Sequence, residues 1–145
     1  MSIAIRRIAL DEVEAAPLIA EGAAGDGRFL MRLKNEWEDG RCRFDAPGEF
    51  LLGAFDGAAL IGIGGISLDP YHPTTGLGRV RHVYVLKAWR GRGVGRALVS
   101  QLVTGARAHF SVLRLRTQAP EAVHLYECVG FVRTDAPGET HRLVL

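Results

Sequence analysis

Residues Arg79-Val80-Arg81-His82-Val83-Tyr84-Val85-Leu86, then Lys87-Ala88-Trp89 and Arg90-Gly91-Arg92-Gly93-Val94-Gly95-Arg96, decide how this chain is read. The first eight alternate as a strand does, and beyond the glycines Val94, Leu98 and Leu102 recur four residues apart, one stripe of a helix. A strand that turns through glycines into a helix points unpaired backbone N–H groups and the positive end of the helix dipole at whatever lies in front. That is an anion site. Gly91, Gly93 and Gly95 lack the Cβ atoms that would hold a phosphate off the backbone, and Arg90, Arg92 and Arg96 add positive charge around it.

Spacing separates the loop from the nucleotide motifs it superficially shares glycines with. A Walker loop needs Lys and Ser or Thr after its last glycine, where this chain has Arg96-Ala97. A dinucleotide fingerprint needs glycine in place of Arg96 and an acid about 20 positions on, near Arg114 to Arg116. Neither fits. The plain alternative is a helix entry whose glycines serve only the turn.

Upstream, Ile3, Ile5 and Ile8 predict a strand leading to Asp11 and Glu14, spaced as a capping box. Pro17 belongs in a first turn, so this helix either begins near Ala15 or is kinked there. After Gly25-Asp26-Gly27, the residues Phe29, Leu30, Leu33 and Trp37 predict a second helix ending near Gly40, with Trp37 in the core. Phe50–Phe55 and Ala58–Leu68 flank Asp56-Gly57 and read as a hairpin in which both central positions take positive φ. Gly62, Gly64 and Gly65 inside the second strand predict a bulge or a close approach. Asp69 to Gly78 reads as a loop. Downstream, Val112–Arg116 is a short strand, and Pro120 opens a helix whose stripe is Ala122, Leu125, Tyr126 and Val129, capped by Gly130. Thr140–Leu145 closes the chain as a strand.

No repeat or linker interrupts residues 1–145, so one domain is expected. With 48% hydrophobic and 23% charged residues, a net charge of +2 and two cysteines, the composition is that of a soluble, cytoplasmic protein in a reducing setting. Cys128 is expected as a buried free thiol. Met1 to Leu10 has neither a signal-peptide core nor a membrane span, because Arg6 and Arg7 interrupt it.

The loop resembles the GNAT pattern Gln/Arg-x-x-Gly-x-Gly/Ala, filled by Arg90, Gly93 and Gly95. Leu125-Tyr126-Glu127-Cys128-Val129-Gly130-Phe131 resembles that family's Leu-Tyr-x-x-x-Gly-Phe segment. The upstream order of elements is also similar, so the resemblance covers nearly the whole chain. It implies an α+β (α/β sandwich) fold: a mixed, mostly antiparallel central sheet with splayed central strands and flanking helices. It further implies an acetyl-CoA-dependent N-acyltransferase. The strands Val80–Leu86 and Val112–Arg116 would part to admit the pantetheine arm of acetyl-CoA, whose amides would pair with the backbone of Val83 and Val85. Backbone N–H groups of Arg90, Gly91, Arg92, Gly93, Val94, Gly95 and Arg96 would then grip the pyrophosphate.

Acyl transfer to an amine needs a neutral amine, a stabilised oxyanion and a proton for the departing thiolate. Tyr126 falls on the family's position for that donor, and it also reads as a core tyrosine, two roles one side chain can combine. Where the family often has a carboxylate or histidine base, this chain has Arg79 and Arg81, which cannot accept a proton. Alternation puts both on one face, either binding an acidic group of the acceptor or simply solvated. His82 falls on the other face unless a bulge shifts the register, and reads as a satisfied histidine packed under the helices ahead of a base. His72 offers a loop alternative. The family's frequent asparagine is replaced by Ala119. No metal is expected, since His124 and His141 have no ligand spacing with each other or with the cysteines.

Two other classes compete. The missing base allows a noncatalytic acyl-CoA-binding domain, and the run of cations from Arg79 to Arg96 allows a nucleic-acid surface, which a phosphate-bearing coenzyme explains equally well. The expected partner is a small-molecule or peptide amine, with no nucleic acid and no membrane. The apolar C-terminal strand offers an edge through which a homodimer could form.

Overall fold

A computed structural model of the chain describes residues 2–70 and 76–145. Its sheet has seven strands: β1 (Ala4–Arg7), β2 (Phe50–Asp56), β3 (Ala59–Leu68), β4 (Leu77–Val85), β5 (Val112–Leu115), β6 (Val132–Arg133) and β7 (His141–Val144), ordered β1-β2-β3-β4-β5-β7-β6. Only β4 and β5 run parallel. Helices α1 (Ala16–Ala23) and α2 (Phe29–Asp39) cover one face, while α3 (Val94–Ala106) and α4 (Pro120–Val129) lie toward the other.

Each face has its own core. Leu98 and Leu102 of α3 are fully buried, and α3 lies low on the sheet because β3 offers glycines beneath it. A Cβ on Gly62 would stand 3.0 Å from Leu98, and one on Gly64 would stand 3.1 Å from Leu102. On the opposite face Leu18, Leu30 and Leu33 pack on Ile63 and Tyr84. Tyr84 donates its hydroxyl to Glu21 at 2.7 Å, tying α1 to β4, and burial with that carboxylate pushes its phenol up to about 12.

Local details correct the sequence reading. No capping box forms at Asp11, where Leu10–Glu12 is a short 3-10 turn; of the two alternatives for Pro17 the late start holds, with α1 beginning at Ala16 and Pro17 in its first turn. Trp37 is half-buried at the core's margin. The hairpin turn is Gly57-Ala58, one residue later than expected, and only Gly57 takes positive φ (58°), the first of the two places. β7 pairs with β5 along His141–Val144 on one side and with the two-residue β6 at His141 and Arg142 on the other, so β6 covers only the first half of the C-terminal strand.

Candidate active site

The sheet opens where β4 and β5 part. Their pairing runs Leu77↔Val112, Gly78↔Leu113 and Arg79↔Arg114 and then stops, while β4 continues to Val85 with β3 alone beside it. A strand left by its neighbour has backbone donors and acceptors to satisfy. The gap is the mouth of a cleft of about 980 Å³, whose walls include Val83 and Val85 of β4, Leu115 of β5, and Leu125 and Tyr126 of α4.

At one end lies the glycine loop. Gly91 and Gly93 have φ of 76° and 83°, conformations that an L side chain resists, while the space around both would admit a Cβ. Their need is therefore torsional. Gly95 is different: its Cβ would meet Leu125 at 3.3 Å, so it lets α3 approach α4. The first helical hydrogen bond runs from Ala97 to the Gly93 carbonyl, leaving the N–H groups of Val94, Gly95 and Arg96 ahead of it. Arg90 departs from its expected role. Its own N–H is donated to Lys87, and its guanidinium holds both carboxylate oxygens of Asp26 (2.8 and 3.1 Å) and the Val85 carbonyl (2.9 Å). That bond lowers the Asp26 carboxyl and raises Arg90, making a strut between the loop and the α1–α2 connection. Arg92 stacks over Trp89 at 5.0 Å.

Tyr126 is 7% exposed, lines the cleft and meets Phe131 edge-on at 5.6 Å. Burial pushes its phenol upward, so it keeps its proton. Cys128 is exposed, not buried: it lines the cleft, and its Sγ lies 3.5 Å from His124 Nε2.

At the other end, β4 carries a bulge. Gly65 pairs with Arg81 and Ile63 with Tyr84, so His82 and Val83 together oppose Gly64. His82 takes φ 61°. The extra residue keeps His82 on the same face as Arg81 and Tyr84, against Phe29 (6.1 Å) and Phe44 (6.0 Å). The sequence put it on the opposite face unless a bulge shifted the register, as a satisfied histidine packed under the helices; the bulge is present and the ring is buried under α2, yet neither ring nitrogen has a hydrogen-bond partner among the described residues. Burial, with the charge of Arg81 added, lowers its pKa to about 3, so the ring is neutral. His72 lies outside the described residues.

Arg79 and Arg81 do share a face and both line the cleft, but neither is simply solvated. Arg79 Nη1 is 3.7 Å from Asp69, a fully buried carboxylate that also accepts from Arg114 at 3.0 Å. Arg81 reaches Glu36 of α2 at 3.1 Å, and Arg32 holds the same carboxylate at 2.8 Å. Burial pulls Glu36 upward, but the hydrogen bond from Arg32 and the nearby Arg81 outweigh it and keep the carboxyl low. No spacing rule tied Asp69, Glu36, Arg32 or Phe29 to the arginines of β4, because Asp69 follows the end of β3 and the other three come from α2. Among the described residues no group of three or more His, Cys, Asp or Glu could hold a metal ion, and no helix is long and apolar enough to cross a membrane.

The family model of the acetyltransferase (GNAT) domain matches residues 47–133. The chain belongs to the GNAT acetyltransferases, acyl-CoA-dependent N-acyltransferases as a class. Among curated proteins it is 36% identical over 88 residues to N-alpha-acetyltransferase RimI of Mycobacterium tuberculosis, a match covering 61% of this chain and 55% of that protein. The chain thus spans about half the length of that relative. Among solved structures, a candidate acetyltransferase of Exiguobacterium sp. 255-15 superposes with a TM-score of 0.86 at 26% identity, over 99% of this chain and 94% of that one. PaiA N-acetyltransferase of Thermoplasma acidophilum, solved in complex with coenzyme A, has the same fold, with a TM-score of 0.73 at 15% identity and all of both chains covered.

Proposed function

We propose that this chain transfers an acetyl group from acetyl-CoA to a primary amine by direct attack in a ternary complex. The observation that carries the reading is the parting of β4 from β5, which opens a cleft running from the N-terminus of α3 past the phenol of Tyr126. The N–H groups of Val94, Gly95 and Arg96, with the dipole of α3, would receive the pyrophosphate, joined by the turn Gly91-Arg92-Gly93. Pantetheine would lie along the free edge of β4 at Val83 and Val85. Since Arg90 already occupies the Val85 carbonyl, pairing falls to the remaining backbone groups.

In the reaction the amine nitrogen bonds to the thioester carbon, the carbonyl becomes an oxyanion, and its collapse breaks the carbon–sulfur bond. Tyr126 gives its proton to the thiolate, and the proton shed by the new amide returns through solvent. An acceptor with an anionic group beside its amine suits a cleft lined by six arginines (32, 79, 81, 90, 96 and 116) and two carboxylates, Asp26 and Glu121. Both small molecules and peptides fit this description, and the name of the mycobacterial relative adds peptide α-amines to the acceptors to be tried.

The test has two parts. Acetyl-CoA should raise the melting temperature by binding only the folded state, about 2.7 kcal/mol at a hundred times its Kd. Gly93→Val, which forces a β-branched residue to φ 83°, should abolish that shift. Thiol release over a panel of amino acids, short peptides and polyamines should then find an acceptor. A coenzyme-induced shift with no thiol release from any of them would leave a binding domain and not an enzyme.

A further inference from the structure

We infer that the His82 imidazole holds the acceptor's amine and that the ring of Phe29 covers it until the acceptor arrives. The inference rests on the acyl-transfer reading above and names a residue that the family's motif positions do not. Three geometric observations converge on it. The bulge of β4 turns His82 onto the face it shares with Arg81, and holds it at φ 61°, a left-handed conformation that strains a residue other than glycine. The residue lines the cleft at only 8% exposure, with both ring nitrogens lacking a hydrogen-bond partner among the described residues. Phe29, its neighbour at 6.1 Å, opens α2 and lines the same cleft, yet is 39% exposed.

A buried imidazole with nothing to bond is a destabilising feature, and an apolar side chain in the same slot would avoid that cost. A ligand that supplies an N–H group removes it. Phe29 is already half in solvent, so rotating it away exposes little further apolar surface and lets an amine reach the ring from the cleft. The charged groups facing the ring are Arg81 from β4 and Glu36 and Arg32 from α2; burial and the two guanidiniums outweigh the opposing carboxylate and keep the ring neutral, one lone pair and one N–H. The lone pair accepts from a neutral amine, while the guanidiniums of Arg81 and Arg32 disfavour an ammonium ion. His82 orients the nucleophile and stores no proton.

Thiol release from acetyl-CoA with glutamate, a short peptide with a free N-terminus, and spermidine, followed from neutral to alkaline pH, tests this in the full chain. His82→Asn tolerates positive φ, and His82→Phe fills the slot. Both should lose about 10- to 100-fold in kcat/KM with the best acceptor while keeping the acetyl-CoA melting shift, and His82→Phe should melt above wild type. The wild-type rate should climb as the amine deprotonates, with no inflection belonging to His82. Phe29→Ala should lower KM for the acceptor. Retention of kcat/KM within about twofold in both His82 variants would give the residue a structural role and overturn the inference alone. A raised KM in Phe29→Ala would make Phe29 an acceptor contact and remove the cover. A wild-type protein that binds acetyl-CoA but acetylates none of the three acceptors would defeat the transferase reading first.

Discussion

The two ends of the cleft are built on opposite plans. At the end proposed for the coenzyme, the groups offered to a ligand are consecutive backbone N–H groups, held by the torsions of Gly91 and Gly93 and by the first turn of α3. At the end proposed for the acceptor they are side chains brought from α2, β4 and the end of β3: Phe29, Arg32, Arg79, Arg81 and His82, with Asp69 and Glu36 behind. The first plan fixes a shape with little choice of chemistry, as suits a cosubstrate common to a family. The second fixes charges and rings whose identity can change without disturbing the sheet, as suits an acceptor that differs between members.

The sharpest way to break this contrast is through Asp69. It is fully buried and faces two guanidiniums, Arg79 and Arg114, so Asp69→Ala takes this carboxylate from Arg79 and leaves Arg114 with Glu139 as its carboxylate. Losing one partner of a buried ion pair costs about 3 to 5 kcal/mol, and chemical denaturation should show a loss of that size. Acceptor turnover should suffer at temperatures where acetyl-CoA still binds the folded fraction. A loss below about 1 kcal/mol would mean that the acceptor end is not braced by this cluster.

Tyr126 stands where the two ends meet, and its removal separates chemistry from binding. Tyr126→Phe keeps the ring against Phe131 and deletes only the hydroxyl, so kcat should fall by about 10- to 1,000-fold with the acetyl-CoA melting shift unchanged. An unchanged kcat assigns the ring to the core alone.

The same contrast explains what the sequence disclosed. The strand, glycine loop and helix of the coenzyme end are contiguous, so periodicity and glycine placement sufficed to find them, and the order of the remaining elements followed from turns and apolar stripes. The parting of β4 and β5 came only with the family resemblance, because it depends on pairing between distant segments. The acceptor end was legible in part: Arg79 and Arg81 were located by alternation, but their partners Asp69 and Glu36 lie 10 and 45 residues away, with no shared pattern. The face of His82 was left conditional on a bulge, since a single bulge inverts the alternation, and the glycines of β3 hinted at irregularity without saying which strand would carry it. Cys128 was misplaced for a simpler reason: it lies off the stripe Ala122, Leu125, Tyr126 and Val129 and borders an open cleft.

The smallest expected effect concerns the charge left at the acceptor end. Arg81 alone over an acidic acceptor would contribute a charge-assisted contact of roughly 1.5 to 3 kcal/mol, but Glu36 already accepts from it at 3.1 Å and is held by Arg32 as well. Part of the positive field is therefore spent inside the protein before any acceptor arrives. Arg81→Gln should raise KM for glutamate or an acidic peptide by only about 3- to 10-fold and leave that of a neutral amine unchanged. Glu36→Gln should act in the opposite direction, since removing the carboxylate releases two guanidiniums to the cleft, and KM for acidic acceptors should fall. The pair of variants makes the prediction signed. If spermidine proves the best acceptor, or if both substitutions move KM the same way, the arginines of β4 serve the packing of α2 onto the sheet and not the choice of acceptor.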